Sequence, residues 1–164
     1  MAARVPILAA AGLGLCAVLA PATPWLVWNA TASAPVGIYA IEHATPPHRG
    51  DLVLAELPET VRAFAANRGY LPLHVRLVKQ IAALPNDRVC ACESRITINE
   101  QIVALRLSSD THHRPLPAWH GCHTLTRREV FLLIAHVPTS FDGRYFGPVS
   151  QNAILGKLTP LWLR

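Results

Sequence analysis

No charged residue interrupts the apolar run of residues 5–28, and beyond Tyr39 the pattern changes to an alternation with a period near two. Such alternation sends successive side chains to opposite faces of a strand. Five segments carry it: residues 50–57 (GDLVLAEL), 74–84 (HVRLVKQIAAL), 87–92 (DRVCAC), 95–105 (RITINEQIVAL) and 129–137 (EVFLLIAHV). Asn99 and Glu100 form a hairpin turn within the fourth. A helical period occurs only over residues 57–68 (LPETVRAFAANR), with Pro58 near its start and Gly69 just past its end. The pattern predicts a mainly β domain with one short helix, preceded by an N-terminal transmembrane helix.

The leader is long enough to span a bilayer, which takes roughly 20 apolar residues. Trp25 and Trp28 at its far end suit a membrane interface. Pro21 and Pro24 end or kink the helix, leaving residues 6–20 as its regular part. The chain thus divides into an anchor or signal-like segment, residues 1–28, and a domain of residues 29–164. A cleaved signal peptide is the competing reading, because Ala30-Thr31-Ala32 is an A-x-A pattern just before Ser33. Only Arg4 and the amino terminus offer positive charge on the cytoplasmic side of such a span.

Composition narrows the function classes. The net charge of +5 comes from Lys and Arg scattered along 164 residues, with no basic block, so nucleic acid is not an expected partner. Fourteen prolines imply many turns and few long helices.

Lys79 is the first candidate for chemistry. By parity it shares a face with Val75, Leu77, Ile81 and Ala83, while His74, Arg76, Val78 and Gln80 take the other. A lysine buried among aliphatic neighbours loses hydration of its charged form, its pKa falls, and the neutral amine can accept a proton. The alternative is a lysine that reaches water from an edge strand. Ser33 changes the balance, since a serine hydroxyl needs a base to become a nucleophile and a desolvated lysine is one such base. No G-x-S-x-G elbow is present, and none of the eight histidines sits in a triad motif. A Ser33/Lys79 dyad is therefore the simplest catalytic reading. Thr31 would add a hydroxyl donor beside the backbone N–H of Ser33 to hold an oxyanion. A proline-rich juxtamembrane linker with incidental hydroxyls is the plain alternative for this stretch.

The spacing N-x-T-x-S-x-P-x-G-x-Y at Asn29, Thr31, Ser33, Pro35, Gly37 and Tyr39 resembles the nucleophile box of TraF-type signal peptidases of conjugative transfer systems, relatives of type I signal peptidases. Residues 76–89 (RLVKQIAALPNDRV) are similar to the lysine box of that family, and residues 139–158 (TSFDGRYFGPVSQNAILGKL) to its C-terminal box. The resemblance implies a signal-peptidase-like β-rich fold, Ser33 as nucleophile and Lys79 as general base. It implies that Ser140 supports the lysine and that Asp142 either acts there too or pairs with Arg144 to fix the loop. The sequence departs from the type I pattern at Gly143, where a serine is usual, and lacks the G-D-N-R run upstream.

Three cysteines lie in the domain: Cys90, Cys92 and Cys122. The resemblance implies a Cys90–Cys122 disulfide, which suits an oxidising periplasm. A zinc site built from His112, His113, His120, Cys122 and His123 is the alternative, but its spacing fits no familiar zinc motif. No metal or cofactor is expected.

What the resemblance implies of function is a membrane-anchored serine endopeptidase of the inner membrane, single-pass, with its catalytic domain in the periplasm. Its expected partners are the membrane and a pilin precursor or other exported preprotein with a hydrophobic segment, which some family members also cyclise. A general type I signal peptidase and a non-catalytic membrane-tethered assembly protein are the rival readings.

Overall fold

The computed structural model describes residues 25–31, 34–43 and 46–164. The expected transmembrane helix over residues 6–20 and the candidate nucleophile Ser33 lie outside them. Among the described residues no helix is long and apolar enough to cross a membrane.

Eleven strands and two short helices follow in the order β1 (Leu26–Asn29), β2 (Gly37–Glu42), β3 (Leu52–Ala55), α1 (Glu59–Asn67), β4 (Leu77–Ala83), β5 (Arg88–Cys92), β6 (Arg95–Ile98), β7 (Gln101–Leu105), β8 (Gly121–Thr124), β9 (Glu129–Leu132), α2 (Gly143–Phe146), β10 (Val149–Ser150) and β11 (Ile154–Leu163). They build a seven-stranded sheet in the order β1-β2-β11-β3-β4-β9-β10 and a four-stranded sheet in the order β7-β6-β5-β8. The fold is mainly β, as the periodicity predicts.

Strand β4 lies inside the larger sheet and is covered on both faces. Val78 packs with Tyr39, Leu54 and Leu158 on one side. Ile81 packs with Val53, Val130 and Leu132 on the other. Burial on two faces explains why this segment reads as an almost continuous apolar run with one lysine in it. Helix α1 closes one end of the sheet, burying Ala65 against Leu57, Leu71 and Leu77. It stops at Gly69, whose φ of +73° suits a glycine just past a helix end.

The smaller sheet packs Val89, Ala91, Ile96 and Ile98 onto Leu125, Phe131 and Leu133. Because Phe131 belongs to β9, this cluster joins the two sheets. The β6–β7 turn lies at Asn99 and Glu100, with φ of 48° and 71°. Two successive positive φ values are the geometry whose twist matches a tight hairpin.

Several elements depart from the sequence reading. Strand β9 ends at Leu132, although the apolar pattern runs on to Val137. Beyond it Leu133 and Ile134 stay buried, their N–H groups donating to the Gln80 carbonyl (2.9 Å) and to Asp142 Oδ2 (3.1 Å). Strand β11 has ten residues and no counterpart in the predicted set, because Gly156 and Pro160 interrupt its pattern. Its pairing with β2 shifts register between Pro160 and Trp162, where an irregularity accommodates the proline. Strand β8 is exposed throughout and shows no alternation to read. Leu26, Val27 and Trp28, assigned above to the end of the leader, pair with β2 as part of the sheet.

Candidate active site

Lys79 is carried by β4 opposite Val53 of β3. Its side chain shares the Ile81 face, and the residue is only 4% exposed. Burial pushes the amine down to about 8; the Asp142 carboxylate partly counters that shift and Arg144 adds to it. Lys79 Nζ donates to Ser140 Oγ at 2.8 Å, and Ser140 is equally buried. That bond fixes where the nitrogen points.

Ser140 owes its position to a buried knot. Asp142 and Arg144 are 0% and 1% exposed, with Arg144 Nε 3.0 Å from Asp142 Oδ1 and Nη2 3.1 Å from Oδ2. Nη2 also reaches the carbonyls of Ile134 (2.5 Å) and Val137 (2.9 Å), and Nη1 reaches that of Pro138 (3.2 Å). Asp142 also accepts the Arg144 N–H at 3.2 Å and so caps α2. One ion pair thereby gathers residues 134–144 around Ser140. The role of Asp142 that the geometry displays is structural, with a secondary electrostatic effect on Lys79.

Gly143 has a packing reason. A Cβ there would stand 2.7 Å from the Leu132 carbonyl oxygen and 2.7 Å from Phe131 Cε2. The departure from the usual serine follows from how closely α2 approaches β9.

On the opposite wall, Asn29 holds the segment that contains Ser33. This asparagine is 2% exposed, and its Nδ2 donates to the carbonyls of Thr31 (3.1 Å), Ala34 (3.0 Å) and Pro35 (3.1 Å). Its Oδ1 accepts the Thr31 N–H (3.2 Å) and the Thr31 hydroxyl (2.7 Å). Tyr39 adds a bond from its hydroxyl to the Pro35 carbonyl at 2.6 Å. The chain is thus fixed on both sides of Ala32 and Ser33, and the Thr31 hydroxyl proton is given to Asn29. Sequence reasoning assigned Asn29 no role. Its signal was a lone amide closing an apolar run ahead of small residues that need a partner for their backbone groups.

A cleft of about 510 Å³ joins these parts, lined by Asn29, Ala30 and Thr31 on one side and by Lys79 and Ser140 on the other. Leu54, Leu71, Leu77, Val78 and Phe141 make most of the rest of its wall apolar. An extended peptide with small or apolar side chains fits such a lining, and the only ionisable group aimed at it from β4 is an amine able to lose its proton near neutrality.

Away from the cleft, Cys90 and Cys122 face each other across β5 and β8 and are joined by a disulfide. Cys92 is exposed and free. The disulfide removes Cys122 from any zinc-ligand set, and among the described residues no group of three or more His, Cys, Asp or Glu side chains is placed to hold a metal ion. His123 instead meets Glu129 at 2.9 Å.

Comparison with known proteins adds a lineage to this geometry. The profile described as "Signal peptidase, peptidase S26" matches residues 1–162. The plasmid transfer protein TraF of Escherichia coli is 32% identical over 143 residues, covering 81% of this chain and 80% of that protein. The conjugal transfer protein TraF of Agrobacterium fabrum is 29% identical over 145 residues, covering 82% and 80%. Among solved structures, a signal peptidase I from Enterococcus faecalis V583 is 21% identical and matches 70% of this chain and 98% of that one with a TM-score of 0.41.

Proposed function

Because the chain belongs to the signal peptidase family, peptidase S26, and is of the TraF type, we propose that it is a membrane-anchored serine endopeptidase that processes a pilin precursor or another exported protein of a conjugative or type IV secretion system. The observation that carries the reading is the buried Lys79 amine, oriented by Ser140 at 2.8 Å in a cleft whose far wall is formed by Asn29, Ala30 and Thr31.

In this reading neutral Lys79 takes the proton of Ser33 as its Oγ attacks the scissile carbonyl. The resulting ammonium then gives that proton to the departing amine, leaving an acyl-enzyme. Water, deprotonated by the same lysine, hydrolyses the ester and restores Ser33. If the free amino end of the pilin attacks instead, the product is a ring and no water is consumed. Ser140 keeps the lysine amine oriented throughout, and no metal or cofactor is required.

A site near the bilayer is favoured by the surface around β1. Trp25, Leu26, Trp28, Leu161, Trp162 and Leu163 are all about half exposed or more, and Trp28 stacks on Trp162 with ring centroids 6.0 Å apart. These side chains continue the apolar leader into the domain, as expected of a periplasmic domain resting at the inner membrane. A substrate held by its own hydrophobic segment would present its cleavage point at that height.

The test is co-expression of the full chain with the candidate pilin precursor, followed by intact mass. Wild type should yield a shortened product, or one lighter by a further water if it is cyclised, whereas Ser33→Ala and Lys79→Ala should yield only precursor. Processing that persists in Lys79→Ala would overturn the dyad, and no processing by wild type would favour a tethered assembly protein.

A further inference from the structure

Beside the cleft lies a second cavity of about 270 Å³, and Tyr70, Thr139 and Phe141 line both. Thr139 and Phe141 flank Ser140, so the strip that orients Lys79 on one side walls this cavity on the other. Leu107, Leu116 and Tyr145 complete an apolar lining, with Asp110 at one end.

Tyr70 is held as a fixed partition. Its hydroxyl donates to Asp110 Oδ2 at 2.5 Å, its ring centroid is 5.0 Å from that of Phe141, and the Arg114 guanidinium sits 5.7 Å over the ring. Asp110 is itself pinned by the N–H groups of His112 and Arg114, each at 2.9 Å, and by Arg114 Nε at 2.7 Å. Arg114 in turn donates to the Arg68 carbonyl at 3.0 Å, tying the loop to the end of α1. The charges at this end therefore satisfy one another. A charged guest would meet no free counter-charge, while an apolar one would cover the two leucines and three rings.

We propose that this cavity is a second side-chain pocket of the enzyme, which receives an aromatic or branched apolar side chain of the substrate near the scissile bond, with Tyr70 as the wall that separates it from the cleft holding Lys79. The assignment of a substrate to the pocket rests on the peptidase reading above; the preference of the cavity for apolar side chains does not.

Two measurements keep those dependencies apart. In the first, the full chain in detergent micelles is titrated with N-acetyl-4-fluorophenylalanine amide and followed by fluorine NMR, with N-acetylglutamate amide added as a competitor. The aromatic probe should bind wild type, and binding should weaken about tenfold in Leu116→Trp, which fills the cavity, and in Thr111→Trp, which fills it from the exposed rim should the first variant not fold. Glutamate should not compete. Equal binding in wild type and in a folded filled variant would overturn the pocket, as would no binding to wild type. In the second, a randomised peptide library is cleaved by wild type and by Tyr70→Ala. Removing the partition should admit larger side chains at one position relative to the cut, with the others unchanged. An unaltered product profile would overturn the role of Tyr70. A wild type that binds the probe but cleaves nothing would instead refute the peptidase reading and leave the pocket standing.

Discussion

Arg144 and Asp142 form an ion pair sealed from solvent, and the guanidinium also donates to the carbonyls of Ile134, Val137 and Pro138 in the loop and of Leu105 at the end of β7. Ser140 lies two residues before the carboxylate. The pair therefore bears on the Lys79–Ser140 contact through position and on stability through burial.

Removing one partner leaves the other charge buried and alone, so Asp142→Asn and Arg144→Met should each destabilise by about 3–5 kcal/mol. Chemical denaturation measures that. In whatever folds, the two variants should move Lys79 in opposite directions. Loss of the Asp142 charge lowers its pKa further, whereas loss of the Arg144 charge raises it. The rising limb of activity should shift to lower pH in Asp142→Asn and to higher pH in Arg144→Met. A common shift in both would contradict the electrostatics.

With Lys79 as the proposed base, kcat/KM of wild type should rise with pH through an apparent value of about 8, because only a neutral amine can accept a serine proton. A histidine base would give a limb near ~6.5.

The same shift has a stability counterpart. The folded value, about 8, lies below the unfolded 10.5. Folding is therefore penalised while the lysine is protonated, fully below pH 8, and the penalty is relieved as pH climbs from 8 to 10.5. It amounts to about 3 kcal/mol at the order-of-magnitude level. Lys79→Met should exceed wild type in stability at pH 7, and the gap should narrow toward pH 10. A gap that does not change with pH would mean the amine is hydrated in the fold.

Gly143→Ser should destabilise by about 1–3 kcal/mol, since the added Cβ meets the Leu132 carbonyl and the Phe131 ring. Thermal melts with the activity profile would also show whether α2 moves Ser140 when it retreats. If Gly143→Ser melts with wild type, the close approach of α2 to β9 is not present in solution.

Asn29→Ala should cost about 1–3 kcal/mol and lower kcat more than it raises KM, because it frees the segment around Ser33 while leaving the apolar cleft in place. Asn29→Asp should do no better, since it turns a donor shared by three carbonyls into a second acceptor. Activity retained in Asn29→Asp would place the support of that segment elsewhere.

Legibility in the sequence followed periodicity. Lys79 stands out because a strand with one charge among aliphatics makes parity informative, and the Asn99-Glu100 hairpin because its turn is local. Ser140 carries no such signal: it sits in an irregular loop, and only the resemblance to a family box drew notice to it. Asn29 carries little signal because its partners are mostly backbone groups, which leave no trace in residue type. Strand β11 was hidden by Gly156 and Pro160, residues that weaken a strand pattern and that the sheet accommodates with register shifts. The knot between Asp142 and Arg144 was half visible, as a pair two residues apart, but its reach to Ile134, Val137 and Pro138 exists only once the loop is closed.

The order of strands also makes the two walls of the cleft depend on one strand. Among the described residues, the backbone hydrogen bonds that link the β1–β2 hairpin to the β3–β4 pair bearing Lys79 run through β11, which is bonded to β2 on one edge and to β3 on the other. Strand β11 is therefore a clasp: loosening it would break the hydrogen-bonded path between the wall of Asn29 and Thr31 and the wall of Lys79, leaving side-chain packing alone to keep the cleft in register.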